Sequence, residues 1–165
     1  MDQRSPERQL HTLLSTGEAT IATAESCTGG GIAWRITTIA GSSAYFLGGV
    51  VAYTNDLKVQ LLGVHPETLS SRGAVSEECA REMADGIRQL TGATIGLATT
   101  GIAGPSGATA RKPVGLIFIA CSTPVGTDVH EVRWRGTREQ HMRDATEYAL
   151  RMSVDAARNL VNRND

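Results

Sequence analysis

The chain has 165 residues, 41% of them hydrophobic, which fits one domain of about 100–200 residues with a core large enough to need no staple. Sixteen basic and seventeen acidic side chains leave a net charge of −1, so no overall field favours nucleic acid or an anionic membrane. Cys27, Cys79 and Cys121 are odd in number and widely spaced. They do not form a disulfide framework and point to a reducing cytoplasm. The polar start Met1-Asp2-Gln3-Arg4 lacks the apolar core of a signal peptide. No apolar run approaches the roughly 20 residues of a membrane span.

In chain order, Ser5-Pro6-Glu7 opens a helix with a hydroxyl cap, a first-position proline and an early acid. Leu10, Leu13 and Leu14 share one face, and Gly17 is a stop. Residues 20–24 read as a buried strand. Thr28-Gly29-Gly30-Gly31 opens a helix carrying Ile32, Ala33, Ile36 and Ile39, and residues 46–53 form a second strand. A short helix holds Lys58, Leu61 and Leu62. Ser76 caps a stronger helix whose Ala80, Met83, Ala84, Ile87 and Leu90 keep the 3.6-residue period up to Gly92. Residues 94–100 and 114–121 are strands joined by a Gly- and Pro-rich loop. Residues 127–134 alternate imperfectly, as an edge strand does. Thr137 and Gln140 make a capping box for a last helix with Met142, Ala145, Ala149, Met152, Ala156 and Leu160 as its inward stripe. This order predicts α/β architecture: a three-layer α/β/α sandwich with a mixed sheet, as a single domain over residues 1–165.

Chemistry concentrates at Thr23-Ala24-Glu25-Ser26-Cys27-Thr28-Gly29-Gly30-Gly31. A strand runs through small residues into a helix, so free N–H groups there suit a phosphate or an oxyanion. A tight turn with polar caps has the same composition. If Ser26 is a nucleophile it needs a base. His11, His65, His130 and His141 do not fall in loops that read as adjacent to it, His65 being the nearest candidate. The chain has fourteen arginines but only Lys58 and Lys112 as lysines. Lysine can lose its proton where arginine cannot, which singles out Lys58, although a solvated surface Lys is the alternative. Tyr53 lies at the end of the neighbouring strand, where parallel strands would gather Ser, Tyr and Lys at one sheet edge; it also reads as a core aromatic.

Thr100-Gly101 leaves a later strand for a Gly-rich loop, and Arg135, Arg138 and Arg143 cluster at the last helix start. Those arginines suit phosphate or carboxylate, or simply a solvated face. Cys27 beside Ser26 reads as buried filler more readily than as a reactive thiol. There is no Cys-x-x-Cys, His-Glu-x-x-His or Asp-rich loop, so neither metal nor cofactor is expected.

Six stretches occur in order: Thr23 to Gly30 above, Ile39-Ala40-Gly41-Ser42-Ser43-Ala44-Tyr45-Phe46, Val51-Ala52-Tyr53-Thr54-Asn55, Gly73-Ala74-Val75-Ser76, Thr100-Gly101-Ile102-Ala103-Gly104-Pro105 and Lys112-Pro113-Val114-Gly115. Together they closely resemble the CinA C-terminal domain family, the nicotinamide-nucleotide amidohydrolases or NMN deamidases. The resemblance implies hydrolysis of the carboxamide of nicotinamide mononucleotide to nicotinate mononucleotide and ammonia, without metal. It implies Ser26 as nucleophile, Lys58 as general base and Tyr53 as their partner. Thr28, Gly29, Gly30, Thr100 and Gly101 fall at pocket positions, with Arg138 and Arg143 near the nucleotide. Thr100 stands where the family often has Ser. A homodimer is expected from the resemblance and from the edge strand. A nucleotide-binding module without catalysis, or an amidohydrolase for another amide, fits the same residues.

Overall fold

The computed structural model describes residues 5–16 and 18–162; the polar first four residues and the stop expected at Gly17 lie outside these. The strands are β1 (Ile21–Glu25), β2 (Phe46–Val51), β3 (Ile95–Gly101), β4 (Leu116–Thr123) and β5 (Gly126–Arg133). They form one sheet in the order β2-β1-β3-β4-β5. β1 pairs parallel with β2 and β3, while β4 runs antiparallel to β3 and β5. The helices among the described residues are α1 (Pro6–Leu14), α2 (Gly31–Thr37), α3 (Asn55–Leu62), α4 (Pro66–Ser71), α5 (Glu77–Thr91) and α6 (Arg138–Val161). No helix of the described residues is long and apolar enough to cross a membrane.

In β1 and β3 the two faces of the sheet differ in side-chain size. Ile21, Ile95, Leu97, Ile117 and Ile119 meet α1, α2 and α6. Ala22, Ala24, Ala98 and Ala120 meet α5 and the end of α3. Small residues let a helix sit close, and glycine closes the last gap. A Cβ on Gly96 would stand 2.2 Å from the Ala84 carbonyl oxygen, and one on Gly86 would stand 1.8 Å from that of Leu62. α5 therefore rests directly on β3, and α3 rests directly on α5. The result is the expected three-layer α/β/α sandwich around a mixed sheet, with β5 at one edge.

Several boundaries follow the capping chemistry. Ser76 Oγ accepts from Cys79 N–H at 3.2 Å, and Gly92 closes α5 at φ 71°. The capping box is complete: Gln140 N–H donates to Thr137 Oγ1 at 3.3 Å, and Thr137 N–H to Gln140 Oε1 at 2.7 Å. Ser5 departs from expectation, because its side chain makes no cap bond and its carbonyl receives the Arg8 and Gln9 N–H groups instead. α2 stops at Thr37, before Ile39, where the chain turns into a 3₁₀ segment, Ser42–Ala44. The buried stripe of α6 is rotated from the expected one. It runs through His141, Ala145, Ala149, Leu150, Ser153, Val154 and Ala157, with Met142, Met152, Ala156 and Leu160 half-buried at its flanks.

Candidate active site

β2 and β3 lie on opposite sides of β1 and both run parallel to it, so the chain leaves β1 at a topological switch point, where α/β folds open a crevice. Ser26 is the first residue past that strand. Its N–H donates to the Thr99 carbonyl at 3.0 Å, and on the other side Ala52 N–H donates to the Glu25 carbonyl at 2.9 Å. Three strand ends are thereby locked around Ser26.

Glu25 governs the turn that follows. Its buried carboxylate accepts from Thr28 Oγ1 (2.6 Å), Gly30 N–H (3.1 Å), Ile32 N–H (3.0 Å) and Ala33 N–H (2.8 Å). Gly29 N–H donates to the Ser26 carbonyl and Gly31 N–H to that of Thr28, both at 3.1 Å. The expectation of a helix N-terminus open to an outside anion is thus corrected: the protein's own carboxylate fills it, satisfying the otherwise orphaned donors. The Cys27 and Thr28 N–H groups donate to no other described residue.

Lys58 reaches the same point from α3. Thr54 caps that helix, its Oγ1 accepting from Leu57 N–H at 3.3 Å, and Lys58 and Leu62 share the inward face. Lys58 is 1% exposed. Its Nζ donates to the Ala52 carbonyl at 2.8 Å and to Ser26 Oγ at 3.1 Å. Burial pulls its pKa below the usual lysine range, and only the Cys79 and Cys27 thiols oppose this. Those thiols are themselves pushed up by burial, to about 11 and about 12, so neither is ionised near neutral pH. No neighbouring charge offsets the desolvation of Lys58 near neutral pH, and Cys27 is a neutral filler.

This has a thermodynamic consequence. An unfolded lysine titrates near 10.4, above the depressed native value. In the window between the two, the unfolded chain binds one more proton, so native stability rises with pH by about 1.4 kcal/mol per unit. Urea titrations of the wild type and Lys58→Met should diverge accordingly, the wild type gaining on the variant as pH climbs towards 10. A difference that stays flat from pH 7 to 10 contradicts the buried charge.

Ser26, Tyr53, Lys58, Thr100, Gly101 and Arg138 line one cleft of about 260 Å³. Tyr53 sits at its rim, 57% exposed, and its hydroxyl accepts from Arg138 Nη2 at 2.8 Å, while Nη1 of the same guanidinium donates to the Gly104 carbonyl at 2.8 Å. Tyr53 is therefore bonded to Arg138 and not to the Ser26–Lys58 pair. Thr100 Oγ1 donates to the Ala74 carbonyl at 2.7 Å, tying β3 to the segment before α5. Four expected pocket residues lie outside the lining. Thr28 is buried in the Glu25 network. Gly29 and Gly30 adopt φ of 62° and 96° to wrap that carboxylate. Arg143 is exposed, five residues beyond Arg138 and so on another face of α6.

Asn55, Val75 and Ser106 line the cleft without having been singled out. Asn55 and Val75 fall inside motifs quoted above, directly after Thr54 and Ala74. Among the histidines, His65 is bound to Glu82 outside the cleft, its Nδ1 3.1 Å from Oε1. His141 backs the cleft wall, its buried Nδ1–H donating to the Ala103 carbonyl at 2.8 Å. A larger hollow of about 320 Å³ between β5 and α6 contains His130 and Tyr148. Its one thiol, Cys121, is held by burial at about 12, so it offers no activated nucleophile.

Residues 3–156 match the family model for the CinA C-terminal domain. A CinA-like protein of Desulfosudis oleivorans is 53% identical over 126 residues, covering 76% of this chain and 30% of the relative, so the chain spans about a third of that protein's length. The competence/damage inducible protein CihA of Agrobacterium tumefaciens has a solved structure 42% identical, with a TM-score of 0.89 over 91% of this chain and 92% of that one. A competence-damaged protein (CinA) superfamily member from Klebsiella pneumoniae superposes with a TM-score of 0.89 at 30% identity, covering 96% and 99% of the two chains. In sequence and in fold, the chain belongs to the CinA C-terminal domain family.

Proposed function

We propose that this domain hydrolyses the carboxamide of nicotinamide mononucleotide, releasing ammonia and nicotinate mononucleotide by acyl transfer through Ser26. The observation that carries the reading is the 3.1 Å contact between Ser26 Oγ and a buried Lys58 Nζ lacking any charged partner. With its pKa depressed, Lys58 can be neutral, and the contact then lets the Ser26 hydroxyl donate to the amine lone pair. Ser26 Oγ attacks the carboxamide carbon as its proton passes to Nζ. The oxyanion is stabilised by the N–H of Cys27, which follows Ser26 in the cleft lining. Nζ returns the proton to the leaving nitrogen and ammonia departs. Water then attacks the acyl carbon, losing its proton to Nζ, and that proton restores the Ser26 hydroxyl. Arg138 offers the one guanidinium in the cleft lining for the phosphate; Tyr53 holds that guanidinium instead of acting on Ser26. Thr100 and Gly101 wall the pocket.

The proposal includes a cytoplasmic setting, consistent with three free, buried thiols. It also includes a homodimer. The exposed apolar side chains Trp34, Leu47 and Val51 gather at α2 and the β2 edge, opposite β5.

The test is incubation with the mononucleotide, measuring ammonia and the acid in equal amounts. Tight binding with no turnover favours a nucleotide-binding module, and ammonia from other amides alone moves the substrate elsewhere. The pH profile checks the base. Because Lys58 works unprotonated, kcat/KM should rise with pH and level off above its depressed pKa; a rate that falls between pH 7 and 9 contradicts Lys58 as base.

A further inference from the structure

Protonated Lys58 has three hydrogens to donate, and the protein supplies two acceptors, the Ala52 carbonyl and Ser26 Oγ. The third faces no described partner, and Lys58 lines the cleft. No carboxylate of the described residues lies within ion-pair reach of Nζ. From α5 it is faced by the Cys79 thiol, and from the turn after β1 by the Cys27 thiol, both neutral near pH 7. The Glu25 carboxylate is committed to α2 and Thr28. At the rim, Arg138 is bonded to Tyr53 and Gly104. Nζ thus borders the cleft with one donor direction unused and no carboxylate of the described residues beside it.

We propose that the Ser26–Lys58 pair is also a carboxylate site, where the acid formed by amide hydrolysis docks as an ion pair and draws one proton from solvent onto Nζ. This rests on the reading above that the cleft takes the mononucleotide. A carboxamide is neutral and leaves the amine uncharged. A carboxylate at the same place supplies the absent counter-ion in a setting where water screens little, which favours the charged amine. The docked acid therefore holds the enzyme in a state whose base is already protonated. Product binding and loss of the base are one event, and turnover is self-limiting as acid accumulates.

The experiment uses the full chain carrying Ser26→Ala, which keeps Lys58 and stops turnover. Nicotinate mononucleotide and nicotinamide mononucleotide are each titrated calorimetrically between pH 6.5 and 9.5, in buffers of different ionisation enthalpy. The two ligands share the phosphate, so the difference between them isolates the carboxyl. The acid should take up close to one more proton than the amide at the maximum. Its affinity relative to the amide should fall up to tenfold per pH unit across that window. Adding Lys58→Met should abolish the extra proton and bring the two affinities to within about twofold. Acid binding without extra uptake at any pH, or uptake that survives Lys58→Met, overturns this inference alone. Ammonia released by the Ser26→Ala variant overturns the Ser26 mechanism while leaving the proton count to be read with the acid. Failure of both ligands to bind overturns both.

Discussion

Ser26→Ala should lower ammonia release from nicotinamide mononucleotide by on the order of 10⁴-fold, with Lys58→Met losing about as much and the double variant little more. Nucleophile and base act as a unit, so once one is gone the other has nothing to contribute. Folding should survive the serine change. It removes one contact, Nζ to Oγ at 3.1 Å, while Nζ keeps the Ala52 carbonyl at 2.8 Å, and such a bond contributes about 1 kcal/mol net. The discriminating variant is Lys58→Arg. It places a fixed positive charge in the cleft but cannot give up a proton at working pH, so activity should fall as far as with Met. Steady-state rates alongside thermal melts decide this: a well-folded Lys58→Arg keeping a tenth of wild-type activity shows that charge alone suffices and that proton transfer to residue 58 is not needed.

The pairing of Ser26 with Lys58 was legible because two local signals coincided. A strand ran into small residues at Ser26, and a chain that otherwise prefers Arg kept Lys at 58, four residues before Leu62 and so on its inward face. Helix ends written in a single side chain were legible for the same reason, as at Ser76, Gly92 and Thr137. One miss depends on distance along the chain, and the others on local packing that hydropathy does not write. The Tyr53–Arg138 bond joins residues 85 apart, and no spacing rule reaches that far, so Tyr53 looked like a partner of Ser26. Glu25 folds back from the last position of β1 onto α2, which turned an apparent anion site into a filled one. α4 escaped because it buries no residue and so has no apolar stripe, although Pro66-Glu67 repeats the Pro-acid opening seen at Pro6-Glu7. In α6, Ala145 and Ala149 are buried as expected, but half-buried Met142 and Met152 attracted the rest of the stripe by hydropathy, whereas polar His141 and Ser153 are among the residues the helix buries beside them.

Gly86→Ala should destabilise the protein by about 3 kcal/mol, the upper end of what overpacking costs, even though Ala improves helix propensity by about 1 kcal/mol. The new Cβ would lie 1.8 Å from the Leu62 carbonyl oxygen and 2.7 Å from its carbonyl carbon. Both are backbone atoms, so no rotamer change relieves the clash and α3 has to move away from α5. Leu62 is in the same helix as Lys58, whose Nζ reaches Ser26 from α3. A shift of about 1 Å there should lower kcat by around 10²-fold, with substrate affinity changed far less because Arg138 and Thr100 stand on other elements. Gly92→Ala is the control. It meets nothing within 4 Å but sits at φ 71°, so it should cost about 1 kcal/mol of conformational strain and leave kcat alone. If Gly86→Ala loses stability while kcat holds, the contact between α3 and α5 supports the fold without positioning the base. If both fall together and Gly92→Ala loses only stability, the close packing of α3 on α5 is what sets the 3.1 Å approach of Lys58 to Ser26.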